Sequence, residues 1–119
     1  MSSKITVTLP LPPSVNRLWR TTRSGGMYRS PKYAAWLRES AWMIAAQTKG
    51  QKITGYYTLI LKAVAPDKRR RDLDNLLKAA SDVLTHSGVI TDDHLCRALR
   101  AEWVLADFEC EITIEAVNV

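Results

Sequence analysis

The chain has 119 residues and a mass of 13.4 kDa, enough for one hydrophobic core, so a single domain spanning residues 1–119 is expected. Its 46% apolar and 24% charged residues exclude the disordered and fibrous classes. No apolar run approaches the ~20 residues of a membrane span, no membrane partner is expected, and the Met1–Lys4 start has no apolar leader, which together predict a cytoplasmic protein. Two cysteines make neither a disulfide framework nor a zinc site.

The net charge is +5 and the isoelectric point near 9.5. Residues 1–78 carry 15 basic and 4 acidic side chains, and residues 79–119 carry 2 and 8. No acid precedes Glu39, although Lys4, Arg17, Arg20, Arg23, Arg29, Lys32 and Arg38 do. Such polarity points to a surface that faces a polyanion, with a merely solvated basic face as the plainer reading.

In chain order, Lys4–Leu9 alternates with Ile5, Val7 and Leu9 on one face, which predicts a half-buried strand. Pro10, Pro12 and Pro13 end it, and residues 14–28, with Gly25-Gly26, read as a loop or irregular hairpin. Ser30-Pro31 predicts an N-cap and first helical residue, opening a helix that runs to about Thr48 before Gly50. Residues 56–65 are apolar on both faces apart from Thr58 and Lys62, as a central strand requires. Asp72 or Asp74 then caps a second helix that reaches about His86, ahead of Gly88. On it Leu73, Leu76, Leu77, Ala80, Val83 and Leu84 form the apolar side, with Asp74, Lys78 and Asp82 opposite. Thr91-Asp92-Asp93 is a loop, and residues 95–105 and 108–117 read as two final strands joined as a hairpin. The order predicts an α+β fold, a mixed or antiparallel sheet of about four strands with two helices packed on one face.

Chemistry concentrates in residues 66–78. Lys68, Arg69, Arg70 and Arg71 abut Asp72 and Asp74. In extended backbone residues i and i+2 project to one side, roughly 7 Å apart, and two carboxylates so close repel unless a cation lies between them. Mg²⁺ resolves that conflict, because it binds through one or two carboxylates, keeps waters and completes its octahedron with phosphate oxygens. Guanidinium groups alongside suit phosphate. The competing reading is a helix cap beside a solvated basic run, with Lys78 no more than the i+4 partner of Asp74. Asp92-Asp93 offers a second acidic pair whose use depends on the fold. His86 and His94 have no ligand spacing, Cys96 and Cys110 read as packing thiols, and Trp36, Trp42 and Trp103 read as core or interface. Trp19, between Arg17 and Arg20, is placed to stack on nucleic acid. With neither a Gly-rich phosphate loop nor a Ser/His/Asp set in the sequence, no nucleotide cofactor is expected.

The stretch Asp67-Lys-Arg-Arg-Arg-Asp-Leu-Asp-Asn-Leu-Leu-Lys-Ala-Ala80, then Gly88 and Asp92-Asp93, resembles the RusA family of Holliday junction resolvases. The opening Pro12-Pro-Ser-Val-Asn-Arg17 resembles that family's start, and the likeness spans nearly the whole chain, with Leu77 and the spacer between motifs differing. The resemblance implies a homodimeric endonuclease of bacteria, phages and prophages that cuts four-way junction DNA with Mg²⁺ or Mn²⁺. It implies catalysis and metal ligation by Asp72, Asp74 and Asp93, with Lys78 as catalytic lysine, supported by Asn75 and Asp92. The basic residues themselves predict contacts with DNA phosphates from Arg17, Arg20, Lys68, Arg69, Arg70 and Arg71, with Asn16 beside them. A non-catalytic branched-DNA-binding protein and a general metal-dependent nuclease are the alternatives.

Overall fold

The computed structural model describes residues 3–13, 19–21, 27–68 and 71–118, with 19–21 and 27–29 described by their backbone. The elements run β1 (Lys4–Leu9), β2 (Trp19–Thr21), β3 (Met27–Arg29), α1 (Pro31–Thr48), β4 (Tyr57–Ala63), α2 (Leu73–Ser87), a 3₁₀ turn (Asp93–Leu95), β5 (Cys96–Trp103) and β6 (Cys110–Ala116). The main sheet has the order β1-β6-β4-β5, and β2 and β3 form a separate antiparallel ribbon. The fold is α+β with a mixed four-stranded sheet, as expected.

Local signals set the helices. Ser30 caps α1 by accepting the Tyr33 amide at 3.2 Å, with Pro31 opening the helix, an arrangement worth about 1 kcal/mol. Lys49 leaves α1 in the left-handed region (φ 52°), one residue before Gly50, where the sequence places the stop. Gly88 ends α2 with φ 82°, a conformation that glycine adopts without a Cβ penalty.

The core lies between the helices and one sheet face. Ile5, Val7 and Leu9 of β1, Leu59, Leu61 and Ala63 of β4, and Ile112 and Ile114 of β6 meet Leu37 and Ile44 of α1 and Ala80, Val83 and Leu84 of α2. The opposite face alternates polar, with Thr6 bonded to Thr113 across β1 and β6 at 3.1 Å. Trp36 is buried and donates its indole N–H to the Pro10 carbonyl at 2.9 Å, Trp103 is half-buried, and Trp42 stands 80% exposed. Cys110 is buried, and burial pushes its thiol up to about 12; Cys96 is half-buried and also raised by burial. Both are packing thiols, as their isolation in the sequence suggests.

The expected hairpin of the last two strands is corrected. β4 lies between them, parallel to β5 and antiparallel to β6. The connecting residues cross the end of β4 and bond to it on both sides, Val104 N–H to the Ala63 carbonyl at 2.9 Å and Val64 N–H to the Glu109 carbonyl at 3.0 Å. The α2 crossover makes β5 a parallel neighbour of β4, and the most apolar strand takes the centre.

Candidate active site

That crossover fixes where the charged groups stand. β4 runs into the basic connection, α2 begins beyond its C-terminal end, and the chain returns to start β5 beside the first residue of β4. Asp72 occupies the N-cap position of α2 with extended backbone, yet its carboxylate makes no capping hydrogen bond. The contrast with Ser30, and with Asp92 below, is informative: those side chains do cap. Asp72 and Asp74 are both exposed, Asp74 lies in the first turn, and Lys78 is exposed one turn later. The described ion pairs are Arg71–Asp67, His94–Asp92 and Arg100–Glu102, so Asp74 and Lys78 are not bridged to each other. Two carboxylates therefore gather at the positive end of a helix without the capping or ion-pairing role that the plainer reading gives them. Asn75 is half-buried next to them.

Asp82 departs from the expected stripe. It is half-buried and accepts the Tyr33 hydroxyl, tying α2 to α1 rather than extending the exposed acidic face. Arg71 also has an occupation that its position in the basic run hides. Its guanidinium grips both oxygens of Asp67, four residues back, and that hydrogen bonding holds it above its ordinary range. The i, i+4 spacing was the signal in the sequence. Lys68 is exposed beside this pair. Asn16, Arg17, Arg69 and Arg70 lie outside the described residues, and Arg20 is placed through its β2 backbone alone.

The second acidic pair divides its labour. Asp92 caps the 3₁₀ turn, accepting the His94 amide at 3.1 Å and facing the His94 ring Nδ1 at 3.1 Å. Those bonds, the ring's first, hold its carboxyl down at about 2. Asp93 is exposed, and the Tyr57 hydroxyl is pushed above its usual range by burial first and then by Cys96 and the Asp93 charge. Tyr57 carried no signal in the sequence beyond its place in an apolar strand.

Asp93 therefore stands at the N-terminal ends of β4 and β5, whereas Asp72 and Asp74 stand past the C-terminal end of β4. The strand between them has seven residues, about 20 Å at strand rise. Among the described residues no three His, Cys, Asp or Glu side chains stand together as a metal-holding group. Asp72 and Asp74 supply the hard oxygen donors that Mg²⁺ takes in ones or twos. Asp93 of the same chain is not part of that set.

These observations define the class: an α+β chain with an acidic helix start beside a basic connection. Residues 10–115 match the family described as Endodeoxyribonuclease RusA. Among similar proteins, the Crossover junction endodeoxyribonuclease RusA of Aquifex aeolicus is 34% identical over 87 residues, 73% of this chain and 68% of its own. The like-named protein of Enterobacteria phage HK97 is 41% identical, covering 71% and 70%, and that of Escherichia coli K12 is 39% identical, covering 73% and 72%. The chain belongs to the RusA family.

Proposed function

We propose that this chain is a Mg²⁺-dependent endonuclease, with Mn²⁺ as a substitute, that resolves four-way DNA junctions as a homodimer in the cytoplasm of a bacterial or phage-infected cell. The observation that carries the reading is the helix start where Asp72 and Asp74 are exposed together, Asp72 without a capping bond and Lys78 one turn on. The crossover-junction names of its relatives supply the substrate. When bound, a divalent cation would polarise a phosphodiester and lower the pKa of a water. Lys78 would place its ammonium against negative charge developing on the phosphorus oxygens. Lys68, Arg69, Arg70, Arg17 and Arg20 would grip backbone phosphates, which gives salt-sensitive affinity without sequence information.

The separation of Asp93 from Asp72 and Asp74 bears on the assembly. If all three carboxylates serve one centre, Asp93 must come from the second chain of the dimer. The dimer then has two shared centres related by its two-fold axis, which suits two cuts in opposing strands. A four-way junction labelled on each strand in turn should show paired nicks at symmetric positions in two opposing strands. Cuts scattered over all four strands would contradict this assembly.

A further inference from the structure

Helix α1 has more apolar surface than its core face uses. Tyr33, Trp36, Leu37 and Ile44 are buried in the core, yet Ala45 and Ala46 are exposed and Trp42 stands 80% exposed. Solvent-facing helix positions normally carry polar residues, and a tryptophan left in water forfeits a large apolar burial. Ala41, Trp42, Ala45 and Ala46 line a cavity of about 500 Å³, bounded across from them by His86 and Ser87 at the end of α2. A smaller cavity of about 100 Å³ shares Ala45 and Ser87 with it and reaches Lys52. Together they form a groove between the C-terminal ends of the two helices. His86 is 12 positions beyond Asp74, roughly 18 Å at helical rise, so the groove lies clear of the acidic start of α2.

Cations flank this apolar floor. Arg38 stands one turn before Trp42 and Lys49 two turns after it, both exposed, with exposed Lys52 beyond. Lys49 and His86 stand where helix C-termini favour positive charge, but Arg38 and Lys52 answer no helix end. None of these four is in a described ion pair. Glu39 is the one acid of α1, and Asp82, the last acid of α2, is turned to Tyr33.

We infer that this groove binds a short acidic segment of another protein, with a bulky apolar side chain seated against Trp42. The spacing of the cations sets the form of that segment. Arg38 and Lys49 are 11 residues apart, about 16 Å along α1, a span that an extended chain covers in about five residues. The segment therefore carries acids toward its two ends and apolar side chains between them. Nucleic acid is the rival occupant. Phosphates need polar partners along their whole path, and here a floor of alanines separates the cations.

A random octapeptide library displayed on phage tests the assignment, selected on the unaltered protein and counter-selected on Trp42→Ala. The enriched peptides should carry aspartate or glutamate toward both ends and an aromatic or long aliphatic residue between. As free labelled peptides they should bind with micromolar affinity, measured by fluorescence anisotropy. Trp42→Ala, or Arg38→Ala with Lys52→Ala, should weaken that binding roughly tenfold or more, and rising salt should weaken it too. Thermal stability and junction binding should be unchanged in Trp42→Ala, because its side chain is exposed and lies away from the acidic helix start. Enrichment of basic or uncharged peptides, or of none that depend on Trp42, overturns the proposal. Displacement of the bound peptide by oligothymidylate, together with weaker oligothymidylate binding by Trp42→Ala, overturns it in favour of a nucleic-acid surface. A change of sedimentation in Trp42→Ala overturns it in favour of a contact between copies.

Discussion

Asp74→Asn and Asp93→Asn chains, each inactive alone, should recover nicking when mixed and allowed to exchange subunits. In a heterodimer one centre receives both defects, and the other receives the intact Asp72 and Asp74 of one chain with the intact Asp93 of its partner. Random exchange of equal amounts makes half the dimers mixed, each with one working centre, so nicking should return to roughly a quarter of the unaltered level. Paired cutting within one binding event should not return, because no dimer has two working centres. A centre built inside one chain predicts no recovery at all, since every chain in the mixture then carries a broken centre. The roughly 20 Å of strand between the acidic groups is what makes recovery the expected result.

Asp74→Asn alone should lower junction cleavage at least a hundredfold, about 2.7 kcal/mol of barrier, with binding kept or tightened. The carboxylate is exposed at the start of α2, and Asn keeps its shape while removing the negative charge. Less repulsion of phosphate favours the complex, while loss of an anionic oxygen removes metal affinity. Thermal stability should change little, since Asp74 is neither buried nor in one of the described ion pairs. Loss of folding or of binding together with cleavage would show a structural group instead. Gel-shift and cleavage measurements on the same preparation separate these outcomes.

What could be read in advance follows the range of the interaction. The helix ends were legible because caps are local: Ser30 with Pro31, Thr48 near Gly50, and Gly88 all act within a few residues. The inward face of β1 was legible from period-two alternation. Strand order was not, because alternation says which side faces the core and nothing of which strand lies alongside. Insertion of β4 between the final two strands depends on the α2 crossover and on bonds from Val64 and Val104, both long-range. The same division runs through the site. Asp72, Asp74 and Lys78 share one helix start and their proximity could be read directly. The distance of Asp93 from them, the turn of Asp82 toward Tyr33 and the place of β5 beside β4 emerge only from tertiary packing. Arg71 is intermediate: its grip on Asp67 follows from i, i+4 spacing, but the run of cations around it drew the reading toward phosphate.

The most direct measurement compares a labelled four-way junction with linear duplex of the same sequence, incubated with the protein at low salt, with Mg²⁺ or with chelator. The expected result is conversion of the junction into two nicked duplexes in Mg²⁺ alone, an uncut protein–junction complex in chelator, and intact linear duplex throughout. Equal cutting of junction and linear duplex would reduce the protein to a general nuclease. Stable junction binding with no cleavage in Mg²⁺ or Mn²⁺ would contradict the catalytic account outright.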